Sequence, residues 1–453
     1  MNKTDLFLRN INELKTKEIP ATVKLKFKLS LLDYIGVTLA GVKAQGEKLA
    51  VMITEADEGN TPVIGIDKKL SMENAIFYNG LNAHALDFDD GTNTGIIHLG
   101  SPVFSVLLPM AKRNRIPADT FMKAALIGYE TSFTMAVTIQ PKHKERGYHA
   151  TGTCGTLGIA LAMSELLGFN EKQRKDAFSA AAVSAAGTLK VLEDGSDLKP
   201  FNVGKTALMG YIAANMGKAG YKGPDDVLAG DRGFLHLMYG SDSVEFKPIL
   251  LDGTFAIEKT YIKPYAACRY CHPSIEAALT LRRRHGISAG DIDSILVRTY
   301  SLAVNKHDHT EIAGSGSAKM SIPYSVAVAI CKGKAGMQQY EIDCVNDAEV
   351  INLTKKISVT ADEEMSKIFP AKQTAVVEVK MADGRGYSEQ VDFPKGEPEN
   401  PLSVEEVREK FTSLTTYSGR SKAEADEIFD AAMDMENKFD VLLDLISGTK
   451  NHL

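Results

Sequence analysis

Imidazole, carboxylate and ammonium side chains are concentrated in four short segments of this 453-residue chain, and together they could perform acid–base chemistry. The first segment contains His84, then Asp87, Asp89 and Asp90, and then His98 in a glycine-rich loop. On a continuous helix His84 and Asp87 would share a face and Asp90 would lie one turn further, so an imidazole and two carboxylates could point into one cleft. General acid–base catalysis uses such pairs. A solvated acidic helix end is the alternative interpretation.

Metal binding is a second chemistry open to this acidic segment. An EF-hand calcium loop is excluded because, counted from Asp87, the glycine occupies the fifth position rather than the sixth. Asp87, Asp90 and His98 are residue types that suit iron, manganese or zinc, but no HExxH or paired-cysteine spacing accompanies them. We therefore expect no metal ion here.

The second and third segments place nitrogen groups beside predicted helix starts. His149 precedes a small-residue helix predicted to begin near Gly152, where free backbone N–H groups could hold a carboxylate. Lys199 lies in a turn before another helix, either as a solvated charge or as a cation for a substrate carboxylate. Nucleotide binding is disfavoured in both segments. The glycines from 152 to 158 follow no strand, and a P-loop ending at Thr206 would need glycine where Lys199 stands.

The fourth segment runs from Lys263 to Pro273, at a predicted domain junction where ligand sites tend to form. Arg269 could bind a carboxylate and His272 could transfer a proton. The Cys268-x-x-Cys271 pair could be a redox dithiol, but no thioredoxin-like pattern surrounds it, and without a second pair it is a poor zinc site.

The overall composition favours small-molecule chemistry. Lys and Arg (52) nearly balance Asp and Glu (58), and the net charge of -6 is spread along the chain, so no footprint for nucleic acid or anionic lipid is present. No segment has the uninterrupted apolar length of a signal peptide or a membrane span. The five scattered cysteines favour reduced thiols. We expect a cytoplasmic protein.

The apolar periodicity predicts two domains. It is helical up to about Tyr261, and the small-residue stretches around Gly152–Gly158 and Phe178–Gly187 predict close helix packing. Strands are predicted at 292–300, 356–360, 374–380 and 387–393, the last two forming a hairpin at Asp383-Gly384. Two helices, opened by capping boxes at Ser403 and Ser421, follow. We therefore predict a mostly α protein, with a helical block up to about Tyr261, a smaller α+β domain from Lys263 to about Glu399, and a helical tail that could pack back onto the first block.

Several of these stretches together resemble the MmgE/PrpD family. The resemblance covers most of the chain, and it is carried by GLNAHALDFDDG from Gly80, the loop to His98, and four later stretches: RGYHATGTCGTLG from Arg146, EDGSDLKPFNVG from Glu193, KPYAACRYCHP from Lys263 and SIPYSVA from Ser321. It implies a mostly α fold with an all-helical domain from residues 1–262 and 402–453 and an α+β lid domain from 263–401. It also implies a homodimer, a small-molecule carboxylate substrate, and neither metal nor organic cofactor.

The resemblance also implies a set of site residues in a cleft between the two domains. The expected catalytic residues are Asp87, His98, His149, Lys199, His272 and Tyr324. The expected substrate-binding residues are Lys199, Arg269, Lys263 and Thr92. Cations in this set would stabilise the negative charge that develops next to a substrate carboxylate, while a histidine, aspartate or Tyr324 would move the proton.

The resemblance leaves the reaction open. Members are 2-methylcitrate dehydratases, cis-aconitate decarboxylases and iminodisuccinate epimerases, and we expect a 2-methylcitrate dehydratase-like lyase first, with the decarboxylase and the epimerase as alternatives. A helical carboxylate-binding protein without turnover is a fourth possibility. The chain departs from the family at Leu99, where proline is common, at Gly91, which displaces Thr92 by one position, and at Asn202, where many members carry histidine.

Overall fold

A computed structural model describes residues 2–192 and 196–447, and the chain divides into two compact units. Unit 1 comprises Met1–Tyr261 and Ser403–Leu453, and unit 2 comprises Ile262–Leu402. The motif that starts at Glu193 therefore begins outside the described residues. Both ends of the chain belong to unit 1, so its helices pack together although a whole second unit separates them in sequence.

Unit 1 is built almost entirely from helices. In chain order they are α1 (Lys3–Asn12), α2 (Ala21–Thr54), α3 (Met72–His84), α4 (Gly100–Asn114), α5 (Ala118–Ile139), α6 (Lys142–Glu145), α7 (Ala150–Leu166), α8 (Glu171–Ser184), α9 (Lys199–Lys218) and α10 (Phe234–Tyr239), followed after unit 2 by α18 (Val404–Tyr417), α19 (Lys422–Met433) and α20 (Met435–Leu445). Among the described residues, none of the helices is both long and apolar enough to cross a bilayer.

Two features of unit 1 differ from the sequence expectation. An antiparallel hairpin, β1 (Glu58–Val63) and β2 (Ile66–Leu70), interrupts the block predicted to be all-helical, because Pro62 and Gly65 disfavour a helix there. The described part of the chain after unit 2 forms three helices (α18, α19 and α20) rather than the two predicted. Asp434 leaves the helical conformation and separates α19 from α20. Both predicted capping boxes, at Ser403 and Ser421, are present.

Helix α7 is the centre of unit 1, and nearly every one of its residues is buried. It packs against α5, α8 and α9. Its glycines permit this, because a Cβ atom on Gly158 would press on the Ser132 hydroxyl and lie 2.6 Å from the Gly128 carbonyl oxygen of α5. The predicted close approach of small-residue helices is therefore observed, and it fixes the positions of the residues at the start of α7.

Unit 2 combines helices with one four-stranded sheet. The strands are β3 (Ile292–Thr299), β4 (Ile357–Ala361), β5 (Ala375–Met381) and β6 (Gly386–Val391), in the order β4-β3-β5-β6. The β3–β4 pair is parallel and the other two pairs are antiparallel. The helices of the unit are α11 (His272–His285), α12 (Ser301–Val304), α13 (Ser315–Lys319), α14 (Ile322–Lys332), α15 (Ile342–Val345), α16 (Ala348–Thr354) and α17 (Glu363–Ile368). Helix α11 packs on β5 and β6 and also on α14. This is the α+β composition expected.

Gly158→Ala should destabilise unit 1 although alanine is the better helix former, because the added methyl group meets backbone that cannot move freely. We expect a loss of about 1–3 kcal/mol, the usual range for overpacking, as a lower midpoint in thermal unfolding followed by circular dichroism. Gly155→Ala is the matched control on the same helix, since its Cβ would meet side-chain atoms rather than backbone, the Thr206 methyl group at 3.1 Å and Cγ of Pro102 at 3.8 Å. Equal midpoints for the two variants would contradict the packing argument.

Candidate active site

Four helix ends of unit 1 bring the candidate residues together. Asp87 lies in the turn after α3, and His98 lies in the loop just before α4. His149 is the N-cap of α7, and Lys199 is the first residue of α9. The amino termini of three long helices therefore border one cluster of side chains. Each contributes the positive end of its helix dipole, which favours an anion.

Asp89 organises the two histidines at the centre of the cluster. Its carboxylate oxygens lie 2.8 and 3.0 Å from Nδ1 of His84, and Oδ2 also accepts a hydrogen bond from the Ser101 hydroxyl at 2.6 Å. His98 Nδ1 lies 3.3 Å from the same carboxylate and donates to the Asp90 carbonyl oxygen at 2.7 Å. Because Nδ1 carries the proton in both rings, Nε2 of each ring presents a lone pair when the imidazole is neutral.

Asp90 has a structural role instead. Its side chain accepts hydrogen bonds from the Gly100 amide and the Tyr129 hydroxyl, both at 2.8 Å, and burial raises its pKa to about 6. The idea that His84, Asp87 and Asp90 share a helix face does not hold, since α3 ends at His84 and Asp87 has a φ of 50°. A turn, not a helix, aims the three aspartates in different directions.

Lys199 supplies the positive charge of the cluster. Its ammonium group lies 2.8 Å from Oδ1 of Asp87, and the same oxygen is 3.8 Å from Nε2 of His98. The side chains of Lys199 and Asp87 are 20% and 33% exposed, so solvent and a small ligand can reach the pair. Of the predicted residues in unit 1, Asp87 therefore lies next to both Lys199 and His98.

His149 completes the cluster through its neighbours. Its ring centroid lies 6.5 Å from that of His84, which is in turn 4.5 Å from that of His98. The Asn202 amide nitrogen lies 3.2 Å from His149 Nδ1 and 3.5 Å from the Thr188 carbonyl oxygen. An amide nitrogen only donates, so His149 Nδ1 accepts and the proton of the neutral ring is on Nε2. Nε2 of neutral His149 is therefore a hydrogen-bond donor, whereas Nε2 of neutral His84 and His98 is an acceptor.

Burial keeps the imidazoles of His84 and His149 uncharged at neutral pH. Burial lowers the pKa of His84 to about 4, and burial together with the charge of Lys199 holds the pKa of His149 well below its usual value. Burial alone would raise the pKa of Asp89, but His84 and His98 outweigh it and hold that pKa well below its usual value. Asp89 is therefore an anion that stays ionised across the physiological pH range.

The cluster could also be considered as a metal site. His84, Asp87, Asp89 and His98 each offer one ligand atom within 4.8 Å of the others. Two of these ligands already serve other groups, since Asp87 is paired with Lys199 and Asp89 accepts from His84 and Ser101. A metal ion would have to compete with an ammonium group for Asp87, so the donor set suits an internal ion pair better than a metal centre.

Thr92 and three of the predicted residues of unit 2 have hydrogen-bond partners within their own unit. Thr92 is buried, and its hydroxyl accepts from the Gly95 amide. Lys263 is buried. Arg269 donates to His272 Nδ1 at 2.7 Å and pairs with Glu397. His272 Nε2 donates to the Ala267 carbonyl oxygen, and the Tyr324 hydroxyl donates to that of Gln339 at 2.6 Å. The roles of these residues in a reaction stay predictions.

Three residues of the cluster were missing from the predicted site. His84 and Asp89 were recognised as part of a polar segment, but the sequence did not separate Asp89, which contacts both histidines, from its neighbours Asp87 and Asp90. Asn202 was noted only as a departure, although its amide determines which nitrogen of His149 carries the proton. The sequence did contain one indication of this role: Asn202 lies one helical turn beyond Lys199, so the two side chains share a helix face.

The loop that carries the aspartates is tied to the C-terminal part of unit 1. Lys410 of α18 forms an ion pair with the buried Asp33 of α2 and donates to the Phe88 carbonyl oxygen at 2.9 Å. Its ammonium group also lies 3.9 Å from the centroid of the Phe88 ring. Lys410 therefore joins three segments of unit 1 directly beside Asp87 and Asp89.

Comparison with known proteins gives matches over most of the chain. The MmgE/PrpD N-terminal domain matches residues 7–247, and the MmgE/PrpD C-terminal domain matches residues 265–435. A cis-aconitate decarboxylase of Aspergillus terreus is 25% identical over 96% of this chain and 94% of its own length. The cis-aconitate decarboxylase of Mus musculus is 24% identical over 90% and 86%. A mitochondrial 2-methylcitrate dehydratase of Yarrowia lipolytica is 23% identical over 52% and 47%.

Lys410→Met should destabilise the protein strongly, because it leaves the Asp33 carboxylate buried beside an apolar side chain. Breaking one side of a buried pair typically costs about 3–5 kcal/mol, measured here by urea unfolding. The double variant Asp33→Asn/Lys410→Met should recover much of that loss, since no buried charge is left. Lys43→Met is the control, because Lys43 is exposed and its ammonium group contacts the Tyr417 carbonyl oxygen and ring rather than a carboxylate among the described residues. No recovery in the double variant would refute the ion-pair argument.

Proposed function

The chain belongs to the MmgE/PrpD family, and from this premise we propose that it is a lyase that acts on a di- or tricarboxylic acid by stabilising negative charge on a carbon next to a carboxylate. One observation carries the proposal. Lys199 and three helix amino termini surround imidazoles whose free nitrogens include both acceptors and a donor. Cations and proton carriers in one pocket are what such a reaction requires.

Decarboxylation of a cis-aconitate-type acid is the first candidate reaction. The relatives that match over nearly the whole chain are named cis-aconitate decarboxylases, whereas the 2-methylcitrate dehydratase matches about half of it. The expectation that dehydration comes first is therefore not confirmed, and we keep dehydration as the second candidate. Epimerisation of an imino- or hydroxy-diacid needs the same proton removal and is the third.

The chemistry of decarboxylation assigns roles to the cluster. Loss of carbon dioxide from a carboxymethyl group next to a C=C bond leaves an allylic carbanion, which must be protonated at its other end. We assign Lys199 and the helix amino termini to the remaining carboxylates and to the developing charge. His149 donates through Nε2–H, the proton that Asn202 keeps on that nitrogen. In dehydration or epimerisation, Nε2 of His98 would instead remove the proton next to the carboxylate.

The predicted homodimer stays a prediction. Helix α9, which begins at Lys199, exposes Phe201 and Ile212 on its surface, 45% and 39% accessible, and Val183 of α8 is 75% accessible. Exposed apolar side chains such as these are common where two copies of a chain meet, because the fully buried part of such interfaces is richer in apolar residues than the rest of the surface. A second copy would then lie close to the start of α9.

Product analysis by proton NMR in heavy water distinguishes the candidate reactions. We expect the purified protein to convert cis-aconitate with loss of carbon dioxide and uptake of one deuteron on carbon, at a rate that a chelator does not change. Water loss from 2-methylcitrate would favour the dehydratase, and deuterium exchange into iminodisuccinate the epimerase. Binding of all three acids without conversion would refute the lyase proposal and favour a carboxylate-binding protein.

Removing the charge of Lys199 should abolish most of the activity. Lys199→Ala should lower kcat/KM by at least ~10²-fold, as loss of one preorganised charge contact commonly does, and Lys199→Arg should retain more. Lys218→Ala is the matched control, because Lys218 is exposed at the far end of the same helix. A near-normal rate for Lys199→Ala would make this lysine a surface charge.

Binding of a polycarboxylate should be accompanied by proton uptake. The pKa values of His84 and His149 are lowered by burial, and a nearby anion raises them again, so proton uptake should grow as the pH falls from neutral toward the pKa of about 4 that His84 has in the free protein. Calorimetric titration with propane-1,2,3-tricarboxylate, in two buffers of different ionisation enthalpy, measures the protons taken up. The same apparent enthalpy in both buffers would contradict this coupling.

A further inference from the structure

Unit 2 contains a cysteine–histidine pair that has no part in the cluster described above. The sulfur of Cys268 lies 3.5 Å from Nε2 of His307. His307 Nδ1 lies 2.7 Å from the Asn305 carbonyl oxygen and donates to it. Because the proton of the neutral ring is on Nδ1, Nε2 turns its lone pair to the thiol. A nucleophile (the Cys268 sulfur), a base (the His307 imidazole) and a group that orients the base (the Asn305 carbonyl oxygen) therefore lie next to one another in space. Enzymes with activated thiols have the same arrangement.

The surroundings of this pair favour transfer of the thiol proton. His307 is buried and its ring packs edge-on against Tyr270, with centroids 5.3 Å apart and planes at 88°. Cys268 remains partly exposed. Burial disfavours the charged imidazole, but the hydrogen bond and the charge of Cys268 outweigh it and raise the pKa of His307. Proton transfer from sulfur to Nε2 gives a thiolate–imidazolium pair, the reactive form of a cysteine.

A second thiol follows one turn later. The Cys271 amide donates to the Cys268 carbonyl oxygen at 2.9 Å. A turn of this kind places its end Cα atoms within about 7 Å, close to the range that disulfides span. Cys271 is fully buried, and burial together with Cys268 holds its pKa well above the usual value. It is therefore suited to be the second thiol to react rather than the first.

We propose that Cys268 is a nucleophile for hydroperoxides and that Cys271 resolves the product as a disulfide. The Cys268 thiolate attacks one peroxide oxygen, an S–O bond forms, the O–O bond breaks, and the leaving hydroxide takes the proton from His307 to become water. The Cys271 sulfur then attacks the sulfenic acid, an S–S bond forms, the S–O bond breaks, and a second water leaves. The two thiols lose two electrons in total, and hydrogen peroxide is reduced to two waters.

The other cysteines serve as internal standards for reactivity. Burial raises the pKa values of Cys154 and Cys331 to about 12, and burial also raises that of Cys344. At pH 7, limiting iodoacetamide followed by peptide mass spectrometry should therefore alkylate Cys268 at least ~10-fold faster than Cys331 or Cys344, because an ordinary thiol is only a few per cent ionised there. Equal rates in the unmodified full-length protein would overturn the assignment of the nucleophile.

A histidine variant tests the base. His307→Gln should slow alkylation of Cys268 by about 10-fold, since glutamine accepts no proton from the thiol. His309→Gln is the matched control, because His309 lies two residues away and bonds to Ser317 rather than to a thiol. Circular dichroism of both variants separates a lost base from a lost fold. A folded His307→Gln protein with an unchanged rate would exclude His307 as the base.

Peroxide treatment tests the second step. Hydrogen peroxide should give a non-reducing tryptic digest in which the peptide ending at Arg269 is joined by a disulfide to the peptide starting at Tyr270. In Cys271→Ser the sulfenic acid should persist and be trapped on Cys268 by dimedone, and Cys268→Ser should give neither product. Rapid alkylation of Cys268 without any disulfide to Cys271 would refute the resolving role. None of these readouts depends on lyase activity.

Discussion

The buried carboxylate of Asp89 is the constraint on which the candidate site depends. It holds Nδ1 of His84, lies 3.3 Å from Nδ1 of His98, and is itself fixed by the Ser101 hydroxyl at the start of α4. A buried anion must be paired or hydrogen-bonded. Two of the groups that pair with the Asp89 carboxylate are the imidazoles of His84 and His98, and these imidazoles could also perform catalysis. The orientation of both imidazoles therefore follows from the need to stabilise one charge.

Around this anion the fold places several sources of positive charge. Lys199 and the amino termini of α4, α7 and α9 supply positive charge, while the buried histidines are held neutral. Uncharged imidazoles keep both a lone pair and an N–H group available, so the pocket can bind an anion and still move a proton. Asn202 makes His149 differ from the other two histidines, because its amide donates to Nδ1 of His149 and so leaves the proton of that ring on Nε2.

The sequence predicted the elements well where its pattern was regular. The helical periodicity, the strands near Ile292 and Ala375 and the capping boxes at Ser403 and Ser421 all have counterparts in the structure. The β1–β2 hairpin was missed because it is short and few of its residues are buried, so its apolar pattern is weak.

The site was predicted less completely because side-chain direction depends on local backbone that periodicity does not describe. Three aspartates in four positions look equivalent in sequence. The positive φ of Asp87 and the turn after His84 send one toward Lys199, one toward the histidines and one toward Tyr129. The proton position on His149 depends on Asn202, which is 53 residues away in sequence. Contacts of this kind follow from helix packing and not from any local motif.

The central claim, that this cluster binds and activates a polycarboxylate, is tested most directly by the crystal structure of the protein with propane-1,2,3-tricarboxylate. The account predicts a ligand carboxylate within about 3 Å of both the Lys199 ammonium group and Nε2 of His149, the distance of a charge-assisted hydrogen bond. A ligand bound elsewhere, with the Lys199–Asp87 pair unchanged and no carboxylate near His149, would contradict it.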